Sequence, residues 1–179
     1  VYPGSTFVST DSHANIMGSV GAFGQGMGDQ DIAATWAKGS VWFKVPKSAK
    51  IIFEGEKPQN VSGKDIVLNL LGIFGANKML GYSVEMYGQA IDKLSLDERI
   101  TISSMGTEMG AIILMFPPSA QTLDELEALS GKRFESVYAD ENASYDGEFT
   151  VDISKFQPML ALPGHPHDNE TVVAKKGTK

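Results

Sequence analysis

The stretch Ser5-Thr6-Phe7-Val8-Ser9-Thr10-Asp11-Ser12-His13 decides the fold class. Its first six residues are rich in β-branched and aromatic side chains, a pattern that is typical of a β-strand. The three polar side chains that follow would be delivered to the rim of a sheet, where α/β proteins keep their functional sites. We therefore predict an α/β fold with Asp11, Ser12 and His13 at an active site.

The composition limits the kind of protein to which such a site can belong. The chain has 179 residues with 42% hydrophobic content, which suffices for one substantial core. The formal net charge is −7 and the basic residues are scattered, which predicts no binding to nucleic acid or to anionic membranes. Because no apolar run approaches the roughly 20 residues that span a bilayer, we expect a soluble, cytoplasmic protein.

The first residue and the cysteine content indicate how much of a protein is present. The chain begins with Val rather than Met, a few residues before the first strand, and it contains no cysteine. We therefore expect residues 1–179 to form a single α/β region that is part of a longer polypeptide. Without cysteine, these residues can form no disulfide, no thiolate zinc site and no cysteine nucleophile.

A glycine-rich stretch follows the candidate site. Gly18, Gly21, Gly24 and Gly28 recur at the spacing of one face of a helix, so a helix is predicted here. No G-x-G-x-x-G register fits, which argues against a dinucleotide site. A bare helix face allows either tight packing of a neighbouring element or the approach of a bulky group, and the sequence leaves both open.

Hydrophobic periodicity and capping signals predict the other elements. We expect strands at 41–45, 50–54, 81–87, 112–116 and 148–153, the last of them antiparallel. We expect helices at 32–38, from a cap at 62–65 to 74, from a capping box at 95–98 to 111, and from a capping box at 122–125 to 129.

Glu108 is the second candidate for a site residue. It stands among small and apolar residues, Met105, Gly106, Met109 and Gly110, with no basic residue nearby in sequence. A carboxylate on such a surface needs a partner that the fold delivers, unless it is protonated or solvated. Pairing with a histidine elsewhere and simple exposure to water at a helix end are both left open.

The remaining histidines, His165 and His167, lie in a segment with the composition of a loop. A proline separates them, and no third ligand stands at a spacing familiar from metal sites. We therefore favour an ordinary loop over a metal site.

Asp11, Ser12 and His13 also suggest the serine hydrolases, which use the same three residue types. Neighbouring side chains on an extended chain point to opposite faces, so these three are not expected to form a relay of nucleophile, base and orienting acid. A G-x-S-x-G segment is also absent. The group is better suited to binding an oxygen-rich acid and moving protons.

Several motifs, taken in their order and spacing, resemble the aconitase superfamily. They are Tyr2-Pro3-Gly4, the strand with Asp11-Ser12-His13, the glycine-rich stretch, Lys44-Val45-Pro46, Gly63-Lys64-Asp65-Ile66, Glu85 with Gly88, and Met105-Gly106-Thr107-Glu108-Met109-Gly110-Ala111. The resemblance extends from about Tyr2 to Val173. Within the superfamily, residues 33–46 are most similar to the large subunits of 3-isopropylmalate dehydratase and homoaconitase.

The resemblance implies a three-layer α/β/α domain with a mixed sheet and a hydro-lyase activity. Enzymes of this superfamily move a hydroxyl between adjacent carbons of a hydroxy di- or tricarboxylic acid by dehydration and rehydration. They use a 4Fe–4S cluster in which one iron without a cysteine ligand acts as a Lewis acid. The resemblance also implies a separate small subunit as a partner.

The roles of the site residues follow from the same resemblance. Ser12 would contact substrate, His13 would lie near the cluster and the leaving hydroxyl, and Glu108 would orient His13. Asp11 would pair with a histidine that this chain lacks. The cluster cysteines, the basic residues that bind substrate carboxylates and the serine base would also lie outside it. We therefore expect this chain alone to bind no cluster and to be inactive.

Two positions beside the site depart from the usual pattern of the superfamily. Ala14 follows Asp-Ser-His where Thr is common, and Ser104 precedes Met-Gly where Asn is common. The substrate is therefore left open, with aconitase, homoaconitase or another substituted-malate dehydratase as alternatives. A non-catalytic binding module that retains the fold is the alternative outside the enzymes.

Overall fold

The computed structural model describes residues 1–177, so the last two residues of the expected 1–179 region lie outside the description. The helices are α1 (Asp29–Lys38), α2 (Gly63–Phe74), α3 (Gln89–Asp92), α4 (Leu96–Ser104) and α5 (Ala120–Ser130). The strands are β1 (Thr6–Ser9), β2 (Phe23–Gly26), β3 (Lys47–Glu54), β4 (Tyr82–Tyr87), β5 (Ile113–Met115), β6 (Gly147–Asp152), β7 (Met159–Ala161) and β8 (Asn169–Thr171). Within residues 1–177, three 3₁₀ helices cover Ser12–Val20, Met105–Met109 and Ile153–Lys155.

The main sheet has the strand order β5-β4-β3-β6. All three of its pairs are parallel, as is the separate pair β1–β2, whereas β7 and β8 pair antiparallel. The α/β class is therefore confirmed, and the mixture of strand directions is found between the sheets rather than within the main one. The prediction that the strand near 148–153 is antiparallel is wrong, because alternating polarity reports one exposed face and says nothing about direction.

The core lies between one face of the main sheet and helices α2 and α4. Alternate residues of β3 and β4, including Ile51, Phe53 and Met86, are at most 2% exposed. They pack against the buried side of α2, for example Leu70, and against Ile102 of α4. This arrangement arises because alternate side chains of a strand point to the same face of the sheet, where they contact the apolar face of each helix.

The opposite face of the main sheet carries a polar cluster on β3 and β4. Tyr87 and Tyr145 donate their hydroxyls to the same oxygen of Glu85, at 2.6 and 2.8 Å, and Lys50 Nζ lies over both rings at 4.9 and 5.3 Å from their centres. Burial and the bond to Glu85 raise the pKa of Tyr87, so its hydroxyl remains a donor. Tyr145 reaches this face from the segment before β6.

Capping signals predicted the start of a helix correctly where the sequence offered a single candidate for the N-cap residue. Ser62 with Asp65 and Ser95 with Glu98 form capping boxes at the starts of α2 and α4, as predicted. The capping box predicted at Thr122 is wrong, because α5 begins after Ser119, whose hydroxyl accepts the Thr122 N–H. Two hydroxyl residues three positions apart compete for the same role, and the first one begins the helix.

The predicted glycine-faced helix is wrong. The 3₁₀ helix Ser12–Val20 ends at Gly21, which has φ of +70°, and Gly24 lies in β2. The interpretation as tight packing agrees with the structure, however. A Cβ on Gly18 would overlap the carbonyl oxygen of Leu114, and one on Gly24 would overlap that of Ala14.

Three element boundaries also differ from the predictions. Residues 41–45 form no strand, and β3 begins at Lys47 rather than at residue 50. The helix that begins after Ser95 ends at Ser104 and passes into the 3₁₀ helix Met105–Met109. Gly106 and Gly110 disfavour a continued α-helix there, and Gly110, with φ of +71°, ends the 3₁₀ helix. No helix among the described residues is long and apolar enough to cross a membrane.

Candidate active site

Asp11, Ser12 and His13 lie where β1 passes into the 3₁₀ helix Ser12–Val20. Ser9 pairs with Gly26 at the carboxyl ends of β1 and β2, so the three residues follow the end of the smaller parallel sheet. Asp11 has extended backbone angles, and its Oδ1 accepts the His13 N–H at 2.8 Å as an N-cap. The site is therefore at a strand end, as the sequence indicated, but on the β1–β2 sheet rather than on the main sheet.

The helical turn brings the three side chains together. The His13 Nδ1 atom lies 3.3 Å from Ser12 Oγ and 3.4 Å from Asp11 Oδ1. The expectation that these side chains point apart is wrong, because the chain turns after the N-cap Asp11 and His13 lies at a kink, with φ of −88° and ψ of 15°, and not in an extended strand. They still form no hydrolase triad, since Ser and Asp share one ring nitrogen instead of flanking the ring. The His13 side chain is 49% exposed.

The motif Asp11-Ser12-His13 and the motif around Glu108 lie in contact, although about ninety residues separate them in sequence. Glu108 is half-buried in the 3₁₀ helix Met105–Met109, which packs against the 3₁₀ helix Ser12–Val20. The neighbouring Thr107 donates its hydroxyl to the Ser12 carbonyl at 3.3 Å. Within residues 1–177, no hydrogen bond or ion pair joins Glu108 to His13. Orientation of His13 by Glu108 therefore stays a prediction.

Sequence reasoning missed two members of this cluster, Asn15 and Thr107. Asn15 is 1% exposed, and its Nδ2 donates to Thr107 Oγ1 at 2.9 Å. A polar amide two residues after His13, next to the buried Ala14, was the available signal. Its partner could not be named, because only the fold brings Thr107 beside it.

A cavity of about 360 Å³ opens beside the two 3₁₀ helices. Its polar lining consists of the hydroxyl residues Thr10, Ser12 and Thr107 and the amide of Gln25, with no charged side chain. β2 approaches the backbone of the site closely here, since a Cβ on Gly26 would lie 2.8 Å from the Asp11 carbonyl oxygen. Such a wall can bind the hydroxyl groups of a ligand, whereas carboxylates of a ligand need cations from elsewhere.

The residues of this chain do not fit the ligand set of an iron–sulfur cluster. There is no cysteine, and the described residues contain no group of three or more His, Cys, Asp or Glu side chains placed to hold a metal. His165 and His167 stack at 4.4 Å, and His165 Nδ1 accepts the backbone N–H of His167. Their contact is therefore that of a folded loop.

This α/β chain belongs to the aconitase family, because the sequence model of that family (aconitate hydratase) matches residues 1–179. The resemblance seen in the motifs is thereby confirmed.

The individual relatives indicate a narrower group. The 3-isopropylmalate dehydratase large subunit of Caldicellulosiruptor bescii is 38% identical over 172 residues, 96% of this chain and 40% of that protein. The protein of the same name from Pyrobaculum arsenaticum is 41% identical over 171 residues, 96% of this chain and 41% of its own length. Large subunit 1 from Pyrococcus abyssi is 36% identical over the whole chain and 42% of its own length. The chain thus spans about two-fifths of these curated relatives.

Proposed function

We propose that the protein containing this chain is a hydro-lyase that moves a hydroxyl between adjacent carbons of a hydroxy di- or tricarboxylic acid. The observation that carries the proposal is the meeting of the Asp11-Ser12-His13 and Thr107-Glu108 motifs beside a hydroxyl-lined cavity. The relatives support an enzyme of the 3-isopropylmalate dehydratase large-subunit type, with a substituted malate as substrate. Their naming as large subunits supports a separate small subunit as partner, and we keep a cytoplasmic location in the proposal.

The chemistry proposed for this chain is binding and proton transfer. Ser12, on the wall of the cavity, binds a substrate oxygen. His13, held at Nδ1 by Asp11 and Ser12, has Nε2 available to exchange a proton with the hydroxyl that leaves or returns. Glu108 is proposed to orient the His13 ring in the assembled enzyme.

The 4Fe–4S cluster implied by the family belongs to the whole protein in this proposal. The 179 residues supply no thiolate, so its ligands are proposed to lie in other parts of the polypeptide. The role of this chain is then to form one wall of the site. By itself it is proposed to bind no cluster and to have no activity.

Replacement of His13 tests the proposed activity. In the complete polypeptide, reconstituted anaerobically with iron and sulfide, His13→Gln is expected to lower kcat for dehydration by about 10²- to 10⁴-fold, because the proton-transfer group is lost. The measurement is the ultraviolet absorbance of the unsaturated acid formed from 3-isopropylmalate, citrate or homocitrate. His165→Gln, in the loop after β7, is the matched control and should keep the parent rate.

Two results would contradict different parts of the proposal. A reconstituted protein that shows cluster absorbance but converts none of the three acids would count against the hydro-lyase and favour a binding module that has retained the fold. A His13→Gln variant with the parent kcat would show that His13 is not the proton-transfer group.

A further inference from the structure

We propose that Thr107 is a positioning residue that holds the peptide between Ser12 and His13 in place, and that the buried amide of Asn15 fixes Thr107. The inference rests on the proposed function, since Ser12 and His13 are the groups that are positioned. It deepens that function by naming the link that joins the two motifs of the site.

The direction of each hydrogen bond follows from the number of protons available. The Thr107 hydroxyl has one proton, and the Ser12 carbonyl 3.3 Å away can only accept it. The lone pairs of Thr107 Oγ1 then accept from Asn15 Nδ2 at 2.9 Å. If the amide of Asn15 were turned over, two carbonyl oxygens would compete for one proton. The network therefore requires the Asn15 NH₂ group to face Thr107.

Burial and packing restrict this network. Asn15 is 1% exposed, so water does not replace its bond to Thr107, while its buried Oδ1 has no hydrogen-bond partner among the described residues. The space beside it is also filled, since a Cβ on Gly106 would lie 3.3 Å from Asn15 Nδ2 and 2.8 Å from Leu114 Cγ. The 3₁₀ helix Met105–Met109 therefore cannot slide along the 3₁₀ helix Ser12–Val20 without a loss of packing.

The position of Thr107 connects this rigidity to the chemistry. Its bond ends on the carbonyl of Ser12, which belongs to the peptide that leads into His13. The Thr107 carbonyl belongs to the peptide that leads into Glu108. Thr107 and Ser12 both line the 360 Å³ cavity, whereas Asn15 lies behind them. Loss of the Thr107 hydroxyl thus frees the backbone that carries His13 and Glu108.

The experiment compares Thr107→Val, which removes the hydroxyl at nearly constant volume, with Thr107→Ser, which keeps it. In the complete enzyme we expect Thr107→Val to lower kcat by about 10- to 100-fold with less than about a threefold change in KM, because misplacement of a reacting group affects the chemical step. Thr107→Ser should stay within about threefold of the parent kcat. Thr101→Val is the matched control, since Thr101 donates to the Asp97 carbonyl within α4 and lies outside the cavity.

The midpoint of thermal unfolding of each variant separates positioning from general stability. A folded Thr107→Val protein with the parent kcat overturns the proposal. If Thr107→Val does not fold, Asn15→Ser replaces it, because it removes the amide donor and keeps the Thr107 hydroxyl. We expect it to lower kcat by about threefold or more at constant KM, and an unchanged kcat overturns the proposal equally.

A second readout keeps the result independent of turnover. In protein labelled with ¹³C-histidine, the His13 Cε1–H resonance should move or broaden in Thr107→Val and not in Thr101→Val. If the parent enzyme converts no hydroxy acid, the proposed function fails and this resonance alone decides on positioning. A His13 resonance that is the same in all variants shows that Thr107 does not position His13.

Discussion

Asp65 joins the start of a helix to a distant hairpin through one carboxylate. Its Oδ2 accepts from the Ser62 N–H and hydroxyl at 2.9 and 2.7 Å. Its Oδ1 accepts from Lys64 Nζ at 2.8 Å and from the Met159 N–H at 2.9 Å. One side chain therefore both caps α2 and fixes the start of β7.

The pH dependence of stability should reveal this carboxylate. Burial raises the pKa of Asp65, but the hydrogen bonds from Lys64, Met159 and Ser62 outweigh it and lower the pKa to about 2 from 3.8. Because the folded pKa is the lower one, ionised Asp65 stabilises the fold above about pH 4, and this contribution is lost as the pH falls towards 2. Asp65→Asn should reduce the free energy of unfolding at pH 7 by about 2 kcal/mol, with a smaller loss at pH 3.

Denaturant unfolding at pH 7 and pH 3 measures both effects. Asp124→Asn is the matched control, since Asp124 is exposed on α5. If Asp65→Asn and Asp124→Asn lower the free energy of unfolding by the same amount at pH 7 and at pH 3, the hydrogen bonds at Asp65 do not stabilise the fold.

The candidate site shows what local sequence can and cannot predict. Asp11, Ser12, His13 and Glu108 were named from motifs, because each motif is contiguous. The bond between Asn15 and Thr107 spans 92 residues, and no local pattern contains it. The contact of His13 with Asp11 was also missed, since it depends on a turn that begins at the N-cap Asp11, where an extended chain was expected.

At the scale of elements, two glycines make the close approach of neighbouring elements possible. Gly24 of β2 lies against the carbonyl of Ala14, and Gly18 lies against that of Leu114 in β5. The Gly18 carbonyl also accepts the Phe116 N–H at 2.9 Å. The 3₁₀ helix Ser12–Val20 is therefore held between β2 and β5 by backbone contacts.

Replacement of Gly24 should separate these elements. Gly24→Ala is expected to lower the free energy of unfolding by about 3 kcal/mol or to prevent folding, because the new methyl group overlaps backbone that cannot rotate away. Gly72→Ala is the matched control in α2, where the nearest atom is 4.0 Å from the new Cβ. It should stabilise the helix by about 1 kcal/mol. Thermal unfolding of both variants measures the difference. Equal midpoints for Gly24→Ala and Gly72→Ala would contradict the prediction.

Two helix starts were predicted better than the strand partners. A capping box is complete within four residues, so Ser62 and Ser95 were found from sequence alone. The partner and direction of β6 depend on β3, and nothing within residues 147–152 encodes that choice. The alternation of polar and apolar residues in β6 was predicted from sequence, because it depends only on one face of the strand being exposed.

At the scale of the whole molecule, Arg99 connects three parts of the chain inside the protein. It is fully buried and donates to the carbonyls of Ile91, Leu94 and Pro117, at 3.0, 3.4 and 3.0 Å. Burial lowers the pKa of its guanidinium. Its contacts tie the end of α3 and the segment after β5 to α4.

Loss of Arg99 should destabilise the whole fold rather than one helix. Arg99→Met is expected to lower the free energy of unfolding by about 3 kcal/mol, because three carbonyls lose their donors at once. Arg133→Met, at an exposed arginine, is the control and should change stability by less than about 0.5 kcal/mol. Circular dichroism during denaturant titration provides the comparison, and equal midpoints for the two variants would show that the buried bonds are dispensable.

The parallel arrangement of the main sheet has a consequence for how the protein is made. One edge of β3 is covered by β4, but the other edge is covered only by β6, whose residues follow much later in the chain. At about 5–20 residues per second, the ribosome needs on the order of 5–20 s to deliver the roughly one hundred residues between them. During that interval the β3 edge of the nascent chain is open to pairing with other chains, so chaperone occupancy at this stage of synthesis should determine the yield of native protein.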